Sequence, residues 1–356
     1  MEAIHVEGLT KRFETTTAVD DLTFEVERGE LFGLLGSNGA GKSTLVNVLC
    51  TLLRPSDGTA TVDGFDVRRE TAAVRDSIGV VFQEPSLDEE LTGAENLTFH
   101  ARMYGLGRAE RAERIAEVLD LVDLRDVRDD PVKQYSGGMK RRLEIARGLV
   151  HRPSILFLDE PTLGLDAGTR HDTWEYIHRM NDEAGVTVVM TTHYMEEADQ
   201  LCDRVAIVNQ GEIVALDEPE TLKDALGGDV VRLDVDGPTD ALSGRLASEP
   251  WVREVERTDA GVAVTLERGE TRIPDLVRLT DDVGVTITAV ELQQPSLEAA
   301  FLSLTGDTIG DDGRRRAQTV GSAATDGGEE EREERGGRRG CGANTTDGVH
   351  TEGRWD

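Results

Sequence analysis

The feature that most limits the fold of this chain is a short one. Five apolar residues, Leu31-Phe32-Gly33-Leu34-Leu35, run straight into Gly36-Ser37-Asn38-Gly39-Ala40-Gly41-Lys42-Ser43-Thr44. A helical pattern follows, with Leu45, Val48, Leu49 and Leu52 at i, i+3, i+4 and i+7, which predicts one buried face. The loop fits GxxxxGK[ST] and has the strand before it and the helix after it that this motif requires; a Gly-rich turn without them would say little. Glycines let backbone amides turn inward around anionic oxygens, where a Cβ would obstruct. The helix N-terminus adds partial positive charge. Lys42 is placed to reach the β- and γ-phosphates of a nucleotide, and the Ser43 hydroxyl to ligate Mg²⁺. A nucleotide-binding α/β domain is the expectation.

A second apolar strand, Ile155-Leu156-Phe157-Leu158, ends in Asp159-Glu160-Pro161. A buried strand of an α/β sheet delivers such residues to the edge where ligands bind. Asp159 is suited to holding hydrated Mg²⁺ and Glu160 to polarising an attacking water. Between the two strands, Tyr135-Ser136-Gly137-Gly138-Met139 opens a helix that carries Leu143, Ala146, Leu149 and Val150 on one side. Alone, Ser-Gly-Gly reads as a helix cap. Its place shortly before Asp159 makes it a second candidate anion-binding terminus.

Composition divides the 356 residues into three. Residues 1–225 alternate β-rich runs with helical patterns. Residues 228–305 read as βαββαβ, the split-βαβ order: strands at 230–235, 252–256, 262–266 and 285–290, helices at 239–247 and 274–279, and a turn at 258–261. No catalytic residue types cluster there, so a regulatory or dimerisation module is expected. Residues 306–356 are Gly-rich and charge-mixed with almost no aliphatics, so disorder is expected. No run reaches the roughly 18–20 apolar residues that span a bilayer. No leader pattern is visible, and a cytoplasmic location is expected. Cys50, Cys202 and Cys341 have neither disulfide nor metal spacing.

The chain holds 39 basic against 70 acidic residues, a formal net charge of −31. Such a surface repels phosphate backbones and argues against nucleic acid as a partner. Only Lys11, Lys42, Lys133, Lys140 and Lys223 are lysines. Acidic excess with so little lysine resembles proteins of salt-in halophiles, where a Debye length of about 3 Å at 1 M salt screens the self-repulsion.

Taken in order, the loop 36–44, the segment 135–139 and the strand 155–161 closely resemble the nucleotide-binding domain of ABC transporters, over residues 2–225. The resemblance implies a P-loop NTPase core with a helical subdomain, ATP and Mg²⁺ as ligands, and ATP hydrolysis. It implies further roles at single positions. Gln83, after a strand at 78–82, matches the glutamine that senses Mg²⁺ and couples to the membrane partner. His193, after a strand at 186–192, matches the switch histidine at the γ-phosphate. Asp166 matches the aspartate that crosses the dimer interface, and Phe13 the aromatic under adenine. Met139 departs from the usual signature glutamine but leaves Ser136 and the glycine amides in place. Tyr-Ser-Gly-Gly-Met, with Gln294-Pro295-Ser296-Leu297-Glu298-Ala299-Ala300-Phe301 near the end of the second unit, is similar to daunorubicin-resistance and other ABC-2-type exporter ATPases. That subtype implies a head-to-tail dimer of this chain on a separate polytopic permease, at the inner face of the membrane. Contact with the permease is expected near residues 83–104, where apolar residues serve either as a groove or as core. A nutrient-importer ATPase and a non-transport ABC ATPase are the alternatives.

Overall fold

The computed structural model describes residues 2–83, 86–225 and 228–306. The predicted tail from 307 onward, and Glu84 and Pro85 in the predicted permease contact, lie outside the described residues.

The parallel runs identified by their apolar character form the centre of a six-stranded sheet. Its strands are β3 (Leu31–Leu35), β6 (Ile78–Val81), β7 (Ile155–Asp159), β8 (Thr187–Thr192), β9 (Arg204–Asn209) and β10 (Glu212–Asp217), in the order β10-β9-β3-β8-β7-β6. Every residue of β3, β7 and β8 is buried, as expected of parallel strands covered on both faces. Side chains alternate between two cores. Ile155, Phe157 and Val189 point to one, and Leu156, Leu158, Val188 and Met190 to the other.

The first core is closed by a four-stranded antiparallel sheet of β1 (Glu2–Phe13), β2 (Thr16–Glu27), β4 (Asp57–Val62) and β5 (Phe65–Asp66), ordered β2-β1-β4-β5. It also takes in Leu45, Val46, Val48 and Leu49 of α1 (Lys42–Leu49) and Val74 of α2 (Thr71–Ser77). Phe24 of the antiparallel sheet stacks on Phe32 of β3, ring centroids 5.5 Å apart. The second core is covered by helices: α3 (Gly93–Met103), α4 (Arg108–Leu121), α5 (Gly137–Leu149), α6 (Ala167–Ala184), α7 (Met195–Leu201) and α8 (Pro219–Asp224). A reciprocal capping box starts α3, with Thr92 Oγ1 accepting from Glu95 N (3.2 Å) and Glu95 Oε2 accepting from Thr92 N (2.9 Å). Among the described residues no helix is long and apolar enough to cross a membrane.

One expected core residue is misplaced. Leu52 is 54% exposed, because α1 stops before reaching it. Thr51 adopts φ 61° and donates its N–H to Val48 O, while Leu52 donates to Asn47 O. This is a Schellman stop with threonine where glycine is usual.

The last section forms its own sheet from β11 (Asp229–Asp236), β12 (Val252–Arg257), β13 (Gly261–Leu266) and β14 (Thr286–Gln293). The order β12-β13-β11-β14, antiparallel throughout, is that of the split-βαβ arrangement. Helices α9 (Thr239–Ala247) and α10 (Gly269–Asp282) cover one face, with Leu242, Leu246 and Leu276 against Val231, Leu233 and Val264. The second helix begins five residues before the predicted Pro274, which therefore sits inside it. Proline lacks the N–H that would bond to Glu270 O, so the helix forgoes that one bond there, although the fixed φ of proline is itself helical. A final helix, α11 (Leu297–Thr305), leaves this sheet and packs on α7 and α8. Its Leu297 and Phe301 join the core that contains Leu201 and Leu222. Phe301 is 1% exposed. Replacing it with alanine is expected to destabilise the chain by about 3–5 kcal/mol, read as a lower urea midpoint; an unchanged midpoint would show that α11 does not hold to this core in solution.

Candidate active site

Strand register assembles the site. Leu35 pairs with Thr192, and Thr191 with Asp159, in parallel ladders; Val81 pairs with Leu158 on the next strand. The segments that follow (Gly36 onward, His193, Glu160 and Gln83) therefore leave the sheet at one edge. This is where ligands bind in an open α/β sheet.

The loop after β3 turns tightly. A Cβ on Gly36 would lie 2.4 Å from Val208 O, and one on Gly41, at φ 107°, would lie 2.2 Å from Ala18 O. Only glycine fits either position. No side chain caps α1, and its first turn carries no acidic residue, so its free amides point at the loop. Lys42 is buried and its Nζ donates to Gly36 O (2.8 Å) and Ser37 O (3.1 Å). Burial pulls its pKa below the usual lysine range, and Glu160 and Asp159 oppose that pull.

Ser43 Oγ donates to Asp159 Oδ1 at 3.2 Å. These hard oxygen donors meet beside the loop and suit Mg²⁺, so the residues present fit that ion. Thr191 Oγ1 donates to the same Oδ1 at 2.5 Å and accepts from Glu160 N at 3.0 Å. It thus fixes both acids from the neighbouring strand. Glu160 leaves the strand at φ 47°, and its Oε1 lies 3.2 Å from His193 Nδ1. A cavity of about 390 Å³ is lined by Asn38, Gly39, Gly41, Lys42, Ser43 and Thr44 on one side and by Gln83, Glu160, Leu163 and His193 on the other, with Ala18 at its wall.

Other expected residues lie elsewhere. Phe13, at the end of β1, is not among the cavity residues; it is 47% exposed, with the Lys11 ammonium 5.0 Å from its ring centroid. Ser136, Gly137 and Gly138 start α5 and do not line the cavity. Ser136 Oγ accepts from Met139 N at 3.2 Å, and the Met139 side chain rests against the helical core, which accounts for an apolar residue at the usual glutamine position. Asp166 caps α6 by accepting from Thr169 N (3.1 Å) and Thr169 Oγ1 (2.7 Å). A Cβ on Gly138 would lie 2.4 Å from Thr169 Cγ2, so the Asp166 and Ser136 segments adjoin one another. Nothing in the sequence marks Thr191, because a threonine in a buried strand carries no motif. Only the ladder reveals what it holds.

The family model for ABC transporters matches residues 19–163. The model for the C-terminal domain of DrrA1-3-like ATP-binding proteins matches residues 218–305. The chain is 38% identical over 311 residues to the linearmycin resistance ATP-binding protein LnrL of Bacillus subtilis, covering 86% of this chain and 100% of that one. It is 42% identical over 308 residues to the daunorubicin resistance ATP-binding protein DrrA3 of Streptomyces coeruleorubidus (86% and 96%). It is 39% identical over 315 residues to the Nod factor export ATP-binding protein I of Sinorhizobium fredii (87% and 88%). Of solved structures, cbiO1 of Clostridium perfringens, part of the ABC transporter complex cbiONQ, matches with TM-score 0.59 and 30% identity, over 62% of this chain and 90% of that one. The ATP-binding cassette MJ0796, in a dimeric post-hydrolysis state bound to ADP and Pi, matches with TM-score 0.55 and 28% identity (60% and 98%).

Thr191→Val keeps the shape of the strand but removes the bond that orients Asp159. It is expected to raise the Mg²⁺ concentration for half-maximal ATP turnover by about tenfold or more. A magnesium titration that matches the parent chain would assign Thr191 to packing alone.

Proposed function

The chain belongs to the ATP-binding subunits of ABC transporters and hydrolyses ATP, and we propose that two copies pair head to tail to drive export through a separate polytopic permease of the ABC-2 type. The observation that carries this reading is a division within one chain. Lys42, Ser43, Gln83, Glu160 and His193 line one cavity at the sheet edge, with Asp159 bonded to Ser43 beside it, while Ser136, Gly137 and Gly138 stand outside that cavity. One chain thus offers two unlike half-sites. In a head-to-tail pair each ATP lies between the loop 36–44 of one copy and the segment 136–138 of the other, with Asp166 at the seam. The dimeric MJ0796 cassette supports the pairing.

In that arrangement the amides of the loop and Lys42 hold the β- and γ-phosphates. Ser43 and Asp159, with Gln83 beside them, hold Mg²⁺, which neutralises charge on the phosphate oxygens when bound. Glu160 accepts a proton from the attacking water, and its left-handed backbone turns the carboxylate toward the cavity. His193, within hydrogen-bonding reach of Glu160, orients it and donates to the γ-phosphate. Phe13, exposed at the end of β1, supplies a surface for adenine. Closure excludes water and fixes the donors around the transferring group. Glu160→Gln is expected to cut turnover by about a hundredfold or more and to leave an ATP-bound dimer on size exclusion; a monomer that still turns over ATP would sink the reading.

The permease docks on α3. Leu97 and Ala101 face the core, but Phe99 is 63% exposed and Met103 69% exposed, with Tyr104 beside them. The expected groove and the expected core are the two faces of one helix. Its relatives include a Nod factor export ATP-binding protein and linearmycin- and daunorubicin-resistance ATP-binding proteins, and these support the export direction. The chain then sits at the inner face of the membrane, with 228–305 as an accessory module, and its charge balance suits a cell interior rich in salt. Phe99→Asp is expected to abolish co-purification with the polytopic partner while ATP affinity stays within about twofold. Undiminished co-purification would remove α3 from the interface.

A further inference from the structure

Beyond the residues that line the cavity, α5 carries two buried charged side chains that no motif marks. Arg141 is 9% exposed and Glu144 is 1% exposed. Their i, i+3 spacing places them on one face of the helix that Ser136 begins. They do not hydrogen-bond to each other: Arg141 Nη1 stands 3.7 Å from Glu144 Oε2, and that oxygen has no hydrogen-bond partner among the described residues. Each reaches main chain instead. Arg141 Nη1 donates to Phe82 O (2.8 Å), Nε to Pro161 O (2.8 Å), and Nη2 to Asp159 O (3.2 Å) and Glu160 O (3.3 Å). Glu144 Oε1 accepts from Ser86 N (2.6 Å) and Ser86 Oγ (3.3 Å).

Gln83 follows Phe82 and precedes Ser86, so one turn of α5 grips the chain on both sides of it. The same guanidinium grips the carbonyls on both sides of Glu160, where the backbone takes a left-handed conformation that a non-glycine residue adopts only when held. A guanidinium suits this task because its five donors lie in a rigid plane. A lysine ammonium, one point at the end of a flexible stem, cannot span Phe82 and Pro161 at once.

We propose that Arg141 and Glu144 are positioning residues that lock the segment around Gln83 and the turn at Glu160 to the helix begun by Ser136. A shift of Gln83 imposed by the permease, or of Ser136 imposed by the partner copy's nucleotide, then reaches the carboxylate through one side chain. Nucleotide binding, which rests on the loop 36–44, does not require the clamp. The inference rests on the roles given above to Gln83 and Glu160.

The test uses the full chain and measures kcat, KM, ATP dissociation constant and melting temperature for Arg141→Lys, for the double variant Arg141→Met/Glu144→Met and for Glu160→Gln. The double variant guards against misfolding, since apolar residues of similar volume commonly replace a buried ion pair without loss of the fold. The expected result is a fall in kcat of about tenfold or more in both Arg141 variants, with ATP affinity within about threefold of the parent. Parent-like kcat in either folded Arg141 variant, with Glu160→Gln inactive, overturns the clamp and leaves the site reading intact. ATP affinity falling in step with kcat overturns it too, because that pattern marks a merely structural role. An active Glu160→Gln overturns the site reading itself, and the inference with it.

Discussion

The parallel hydrogen bonding of β3, β8 and β7 aligns Leu35 with Thr192 and Thr191 with Asp159, and the site depends on that alignment more than on any single side chain. A parallel ladder fixes which residue is last in each strand, and the loop chemistry begins one residue later. In β3 that residue is Gly36, in β7 Glu160, in β8 His193. Sliding one strand by a single residue would turn its buried faces over, exchanging the side chains offered to the two cores. Burial of Phe157 and Val189 on one side, and of Leu158 and Met190 on the other, opposes such a slip. Hydrophobic packing far from the cavity thus sets the distance between Ser43 and Asp159.

The parts of the site that were legible in the sequence are those written in consecutive residues. The loop 36–44 needs glycine where a Cβ would strike Val208 O or Ala18 O, so its spelling and its geometry are one constraint. Asp159 and Glu160 were legible because an apolar run led to them. Gln83, Asp166, His193 and Phe13 came from the family resemblance. Thr191, Arg141 and Glu144 were not legible: each acts on main chain or carboxylate brought near by the sheet, from 18 residues away in the Arg141–Asp159 bond to 59 in the Arg141–Phe82 bond. Helical periodicity placed Leu52 in the core because it carries no information about where a helix stops. Thr51 ends α1 with the dihedral usually left to glycine, and threonine gives no warning of it.

Buried charge follows a common rule here. Arg141, Glu144 and Glu197 are nearly out of reach of water, and burying an ion is costly unless hydrogen bonds satisfy it. Burial raises the pKa of the Glu197 carboxyl; it accepts from Thr162 Oγ1 (2.8 Å) and Trp174 Nε1 (3.2 Å). Arg141 and Glu144 spend their hydrogen bonds on segments that flank the cavity, not on each other, and Glu197 shares its own between Thr162 and Trp174 of α6. They hold loops whose residues face the nucleotide site, while the residues that face it remain free to change partners. Lys42 shows that freedom, since its present partners, Gly36 O and Ser37 O, are carbonyls that a phosphate would replace.

The helix that follows His193 is held from two directions. On one side, Glu197 ties α7 to Thr162, one residue beyond the Pro161 carbonyl that Arg141 also grips. On the other, α11 lies across α7, with Leu297 and Phe301 in the core shared by Ala198 and Leu201. The last helix of the chain therefore leaves the sheet that precedes it and completes the core beneath the P-loop sheet. That placement explains why residues 297–305 are apolar on one face although their own sheet is already covered by α9 and α10: Leu297 and Phe301 answer to Leu201 and Leu222, which lie far earlier in the chain. Sequence periodicity identifies a face that must be buried, and only the tertiary structure shows which core receives it.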